Sequence, residues 1–151
     1  LVFYGDPQRP EILHAAKVDQ AEFFVIAMDD PEINIKTAEL VRSLYPHMKI
    51  IARARNRQHV HRLVDLDASP VRETFYSSLE MSRRTLVGLG LTQAQADARI
   101  SRFKNHDLQL LAAQHAVYDD AAKVMQSAQE ARTELARLFE MDRLEEESDK
   151  V

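Results

Sequence analysis

The chain has no cysteine, which excludes disulfides, thiolate catalysis and thiol-based redox sensing within it. It has only three glycines among 151 residues, and no intact P-loop, GxSxG or HExxH occurs. No apolar run approaches the length that spans a bilayer, and these residues carry no signal-peptide pattern, so neither feature is expected of this segment. Positive charge is not in excess either. With a formal net charge of −4 there is no electrostatic case for nucleic acid as a bulk partner. His47, His59, His61, His106 and His115 show no paired spacing on one helical face, so no metal site is expected.

What is present is a set of short apolar runs at near-regular spacing: Leu1-Val2-Phe3-Tyr4, Phe23 through Met28, and Ile50-Ile51-Ala52. Each ends in a polar or turn-forming cluster, namely Gly5-Asp6-Pro7, Asp29-Asp30-Pro31 and Arg53-Ala54-Arg55. The intervening segments open with Pro10 and Pro31 and carry apolar residues at three- and four-residue steps, which reads as helix. Strand, helix and strand in under about thirty residues calls for parallel pairing through right-handed crossovers, with helices covering both faces. The fold class expected is therefore α/β, a Rossmann-like parallel sheet followed by an α-helical extension. The sheet is expected to be partial, its front half preceding Leu1, because three strands alone leave an edge and much apolar surface open. Ligands bind such sheets at the carboxyl ends of the strands.

The texture changes after residue 70, and the expected organisation is a sheet domain over 1–70 and a helical extension over 71–151. Pro70 to Phe75 reads as a short extended piece leading into a helix that stops at Gly88 and Gly90. Thr92 caps a second, long helix, and a third begins near Asp120. The third carries a seam of Ala121, Val124, Ala128, Ala131, Leu135 and Leu138 that fails at Asp142. Packing within its own domain and packing against a second subunit are both open from spacing alone.

Phe3-Tyr4-Gly5-Asp6, Ala27-Met28-Asp29-Asp30-Pro31, Tyr45 through Arg55, Arg72-Glu73-Thr74-Phe75 and Arg84 through Gly90, in that order, resemble the cytoplasmic regulatory domain (RCK or KTN, TrkA-N-like) of the bacterial glutathione-gated potassium efflux (Kef) systems. Phe103 through Leu108 resembles the KefB branch more than KefC. The resemblance implies a regulatory domain without catalysis, binding a nucleotide (AMP or NAD(H)) and sensing glutathione and its electrophile adducts. It also implies a homodimer, a membrane antiporter domain in the same parent chain, an ancillary flavodoxin-like quinone oxidoreductase, and a place on the cytoplasmic face of the inner membrane. A truncated dinucleotide-dependent oxidoreductase is the alternative; it requires a catalytic acid or base at the cleft mouth, and none is placed there.

Gly5, Asp6, Met28 and Asp29 match the family's nucleotide-facing turns. Glycine admits a ligand close to the backbone, and a carboxylate at a strand end accepts hydrogen bonds from ribose or adenine. Alternatively, both aspartates simply cap the following helices. Arg72 matches the arginine of the RETF motif and is assigned to glutathione, since a guanidinium pairs bidentately with a carboxylate. The alternative is a surface pair with Glu73. Asp107 falls where the KefC branch carries a ligand-contacting asparagine; an ionised carboxylate there only accepts hydrogen bonds, and so would meet the tripeptide's amine rather than its carboxylates. Arg53, Arg55, Arg57 and Arg62 form a basic stretch suited either to phosphates or to a solvated helix start.

Overall fold

The fold is that of a computed structural model, which describes residue 2 and residues 4–148. These form two compact units, Leu1–Phe75 and Tyr76–Val151.

The first unit holds a three-stranded sheet of β1 (Phe23–Ile26), β2 (Lys49–Ala54) and β3 (Ala68–Arg72) in the order β1-β2-β3. Both pairings are parallel, with Ile26 opposite Ala52 and Ala54 opposite Arg72. The crossovers are α2 (Pro31–Leu44) and α3 (Arg57–Asp65), preceded by a short α1 (Pro10–Ala15). Proline opens both α1 and α2, as expected. Alternation along β2 buries Ile50, Ala52 and Ala54 against the helices, while Ile35, Ala38 and Val41 of α2 and Leu63 of α3 fill the layer from the other side.

One expectation is corrected here. The sheet is covered on one face only among the described residues. The other face presents Phe23, Val25 and Val71, exposed by 50%, 65% and 47%. Both crossover helices lie on the same side because consecutive crossovers of one hand return to the same face, so these two cannot shield the other. The extended piece read before the helix at Phe75 is part of the sheet: Val71 and Arg72 end β3, Glu73 N continues the ladder to Ala54 O at 3.0 Å, and a helix follows from Phe75. Of the expected first strand, Leu1 and Phe3 lie outside the described residues, and Val2 and Tyr4 belong to no strand.

The second unit is helical: α4 (Phe75–Gly88) begins at the junction, followed by α5 (Gln93–Gln114) and α6 (Ala121–Ser148). Gly90 turns the chain after α4 with φ of 102°, a conformation that side chains disfavour. Thr92 and Gln95 form a reciprocal capping box on α5, and Asp120 accepts from the backbone of Ala122 and Lys123 to start α6. Helices α5 and α6 run antiparallel. Gln114 bonds Ser127 at 2.8 Å near the turn, His106 faces Glu134 midway, and Arg102 pairs with Asp142 at the far end. The seam therefore does not fail at Asp142. That carboxylate is buried and ion-paired within its own unit, and Ala131 is buried, while Ala121 and Ala128 stay exposed.

Among the described residues no helix is long and apolar enough to cross a membrane, and no group of side chains is arranged to hold a metal ion.

Candidate functional site

At the carboxyl edge of the sheet, two adjacent aspartates do different work. Asp30 is the cap of α2, accepting from Glu32 N at 2.8 Å and Ile33 N at 3.2 Å. Asp29, for which capping was the alternative, caps nothing: it accepts from Arg53 Nη1 at 2.8 Å, with its own side chain 97% exposed. Arg53 stands on the open face of β2, and its other terminal nitrogen pairs with Glu73, just past β3. The three strand ends are thus tied by one guanidinium between two carboxylates. Hydrogen bonding from Arg53 holds the Glu73 carboxyl below its ordinary range, and Glu73 and Asp29 together push the Arg53 guanidinium further up. Glu73 therefore pairs with Arg53, and the surface pair with Arg72 drawn from adjacency is corrected.

Beneath this edge lies Asn34, 2% exposed on α2. Its amide nitrogen donates to Met28 O at 3.0 Å and Arg53 O at 3.2 Å, clamping the ends of β1 and β2 together. Met28 thus enters the site through its carbonyl. On α3, Asn56 caps the helix by accepting from His59 N, and the His59 ring nitrogen Nδ1 accepts from Arg55 N at 3.1 Å. His59 and His61 are buried, not solvated. Burial, with the nearby Arg62, pushes the His59 pKa down, partly opposed by Glu32. Arg62 pairs with Glu32, so Arg53 and Arg62 of the basic stretch are both engaged by acidic neighbours.

Gly5 and Asp6 are tied to α1. A Cβ on Gly5 would lie 2.7 Å from Ile12 Cδ1, so the close approach its bare backbone permits is made by Ile12. Asp6 accepts from Gln8 N at 2.9 Å and from Arg9 N through its carbonyl, turning the chain ahead of α1; the position before that helix is Arg9. Arg72 ends β3 with its guanidinium carbon 3.5 Å from the centre of the Phe75 ring, a stack that fixes the plane of the fork. Asp107 belongs to the second unit and is 7% exposed on α5. That unit also contains an apolar cavity of about 650 Å³ bordered by Leu79, Leu86, Ile100, Phe103 and Phe139.

Two contributors escaped the sequence. Asn34, with Thr37, is a polar residue in the buried and otherwise apolar stripe of α2, a pattern that flags a buried amide with something to hold. Arg53 was grouped with its basic neighbours, although strict alternation with Ala52 and Ala54 sets it on the opposite face, between the acidic ends of two flanking strands.

Residues 1–72 match the family model of the TrkA-N domain, and residues 77–151 match that of the potassium efflux system KefB C-terminal domain. Among solved structures the chain is similar to the Kef C-terminal domain of Shewanella denitrificans in its AMP-bound form, with 36% identity, a TM-score of 0.74, and coverage of 77% of this chain and 74% of that one. Two consecutive family models and a relative of this identity agree with the parallel sheet and the helical unit that follows: the chain belongs to the Kef family of potassium efflux regulatory domains.

Proposed function

We propose that this domain binds a nucleotide at the carboxyl edge of its sheet and glutathione through Arg72, and that it thereby controls a potassium/proton antiporter domain of the same parent chain at the cytoplasmic face of the membrane. As a Kef regulatory domain it is a ligand-binding module and not an enzyme, and the oxidoreductase alternative falls with that. The observation that carries the nucleotide reading is the AMP bound by its relative, together with an edge here that presents Asp29 to solvent. Gly5, Asp6 and Met28 complete the proposed nucleotide-facing set. AMP is the first ligand to test and NAD(H) the second, by calorimetry on the complete regulatory domain; no heat with either removes the nucleotide assignment.

The glutathione reading rests on Arg72 in the RETF segment, its guanidinium plane fixed on Phe75 for bidentate carboxylate recognition. Arg72→Ala is expected to cost about 1.5–3 kcal/mol in glutathione binding, and Arg72→Lys to recover only part, because an ammonium keeps the charge without the fork. Unchanged affinity in Arg72→Ala returns the residue to a structural stack. Asp107 is proposed as a second contact; its burial favours an indirect part, and Asp107→Asn tests it in the same titration. A homodimer is proposed through the exposed part of the α6 seam, with light scattering as the check. A flavodoxin-like quinone oxidoreductase is the proposed ancillary partner, checked by co-sedimentation with the complete protein.

A further inference from the structure

We infer that Arg53 is the positioning residue of the nucleotide edge: it fixes the Asp29 carboxylate to accept hydrogen bonds from hydroxyl or amino donors of the nucleoside, and the phosphate lies away from this edge. This rests on the nucleotide reading above and deepens it.

The geometry begins with alternation. Ala52 and Ala54 are buried on the helix side, so Arg53 between them projects on the open face, with β1 and β3 on either side. From there one terminal nitrogen reaches Asp29 Oδ1 at 2.8 Å and Ala27 O at 3.4 Å, and the other reaches Glu73. An aspartate side chain 97% exposed in a loop has no packing to orient it, and this bond to a residue rooted in the central strand supplies the orientation. Arg53 is itself held from the far side by Glu73, so the strand-end tie does not depend on Asp29 alone.

The polarity of the edge decides what it takes. A phosphate seeks unused backbone N–H groups at a helix N-terminus. Here Asp30 already accepts from Glu32 N and Ile33 N at the start of α2, and Asn56 accepts from His59 N at the start of α3. Arg53 has both flanking carboxylates against it, so its terminal nitrogens are already taken up by Asp29 and Glu73. Around Asp29 the edge is an acceptor surface. A carboxylate cannot donate a hydrogen bond to a phosphate, but it matches ribose hydroxyls and an exocyclic amine.

Calorimetry on the complete regulatory domain with AMP, adenosine, 2′-deoxyadenosine and inosine tests this. Asp29→Asn and Arg53→Gln are expected to weaken AMP and adenosine by the same factor, about tenfold for one charge-assisted hydrogen bond. Arg53→Lys should recover part of the loss. Both variants should also lose discrimination against 2′-deoxyadenosine if the donor is a hydroxyl, or against inosine if it is the amine. A variant that merely loosens the sheet lowers every ligand in proportion and keeps both ratios; that result overturns the positioning role. Stronger AMP binding in Asp29→Asn, with adenosine unaffected, places the phosphate at this edge and overturns the polarity. Wild-type protein that binds neither AMP nor adenosine refutes the nucleotide reading itself, and the inference with it.

Discussion

Among the described residues the sheet unit buries a broad apolar layer, with Ala38, Val41, Ala52, Ala54 and Leu63 all at 0% exposure and Asn34, Thr37, His59 and His61 buried beside it; the helical unit buries only Leu79, Ala96 and Ala131 of its apolar side chains, together with Asp107, Gln114 and Asp142. The first is a layered core whose strength scales with apolar area removed from water. The second is a helix hairpin held along its length by polar pairs, each sensitive to geometry and surroundings. Two segments of similar length in one chain therefore reach order by different means, and they should fail differently.

The sharpest way to break this comparison is a matched truncation. Leu63→Ala should destabilise the sheet unit by about 2–5 kcal/mol, since a fully enclosed leucine leaves a cavity among rigid neighbours. Leu79→Ala, at 8% exposure in the helical unit, should fall at the low end of that range or below it. Equal shifts in urea midpoint at equal slope would remove the distinction between the units.

Next in size is Asn34→Ala, expected to cost about 1–3 kcal/mol, because Met28 O and Arg53 O lose their shared donor in a part-buried setting. Asn34→Asp should be no better, as an ionised carboxylate cannot donate to either carbonyl. A neutral Asn34→Ala would mean that the clamp contributes only position.

The smallest effects are in pH dependence, and they separate the units by window. The folded-state pKa of His59 lies below its ordinary value of 6.5, so its contribution is complete above that pH and is lost as pH falls below it, where the unfolded chain takes up the proton first. In the helical unit, hydrogen bonds from Arg83 and then Arg84 lower Glu80 from 4.5 to about 2; its contribution is present above 4.5 and is lost only as pH falls from there toward about 2. His59→Asn should thus flatten the thermal-stability profile just below pH 6.5, and Glu80→Gln should flatten it only below about 4.5. Overlapping windows would merge what the two sites are said to keep apart.

Much of the sheet unit was legible because its signals are local. Apolar runs bounded by Asp-Pro and Arg-rich ends, and prolines at helix starts, act within a few residues. β3 was harder: Ala-Ser-Pro-Val-Arg has little strand preference of its own and becomes a strand by pairing with β2, a tertiary effect. The two roles of Asp29 and Asp30 were hidden for a similar reason. Both residues suit a cap, and only the position of Arg53 on a neighbouring strand decides which of them is free to face a ligand. In the helical unit the helices and the Thr92 cap could be read, whereas Asp142 read as the end of a seam because Arg102, its partner, lies forty residues earlier in sequence.

The proline at position 70 has a consequence for how this sheet can grow. A strand flanked on both sides must use every backbone N–H in alternation, and Pro70 has none to give, so β3 is confined to the margin of any sheet that contains it. At the other margin, Phe23-Phe24-Val25-Ile26 carries neither proline nor charge to discourage a neighbour. Growth of this sheet is therefore one-directional: a further strand, whatever chain supplies it, has to be laid down beside β1, and the order of construction runs away from Pro70.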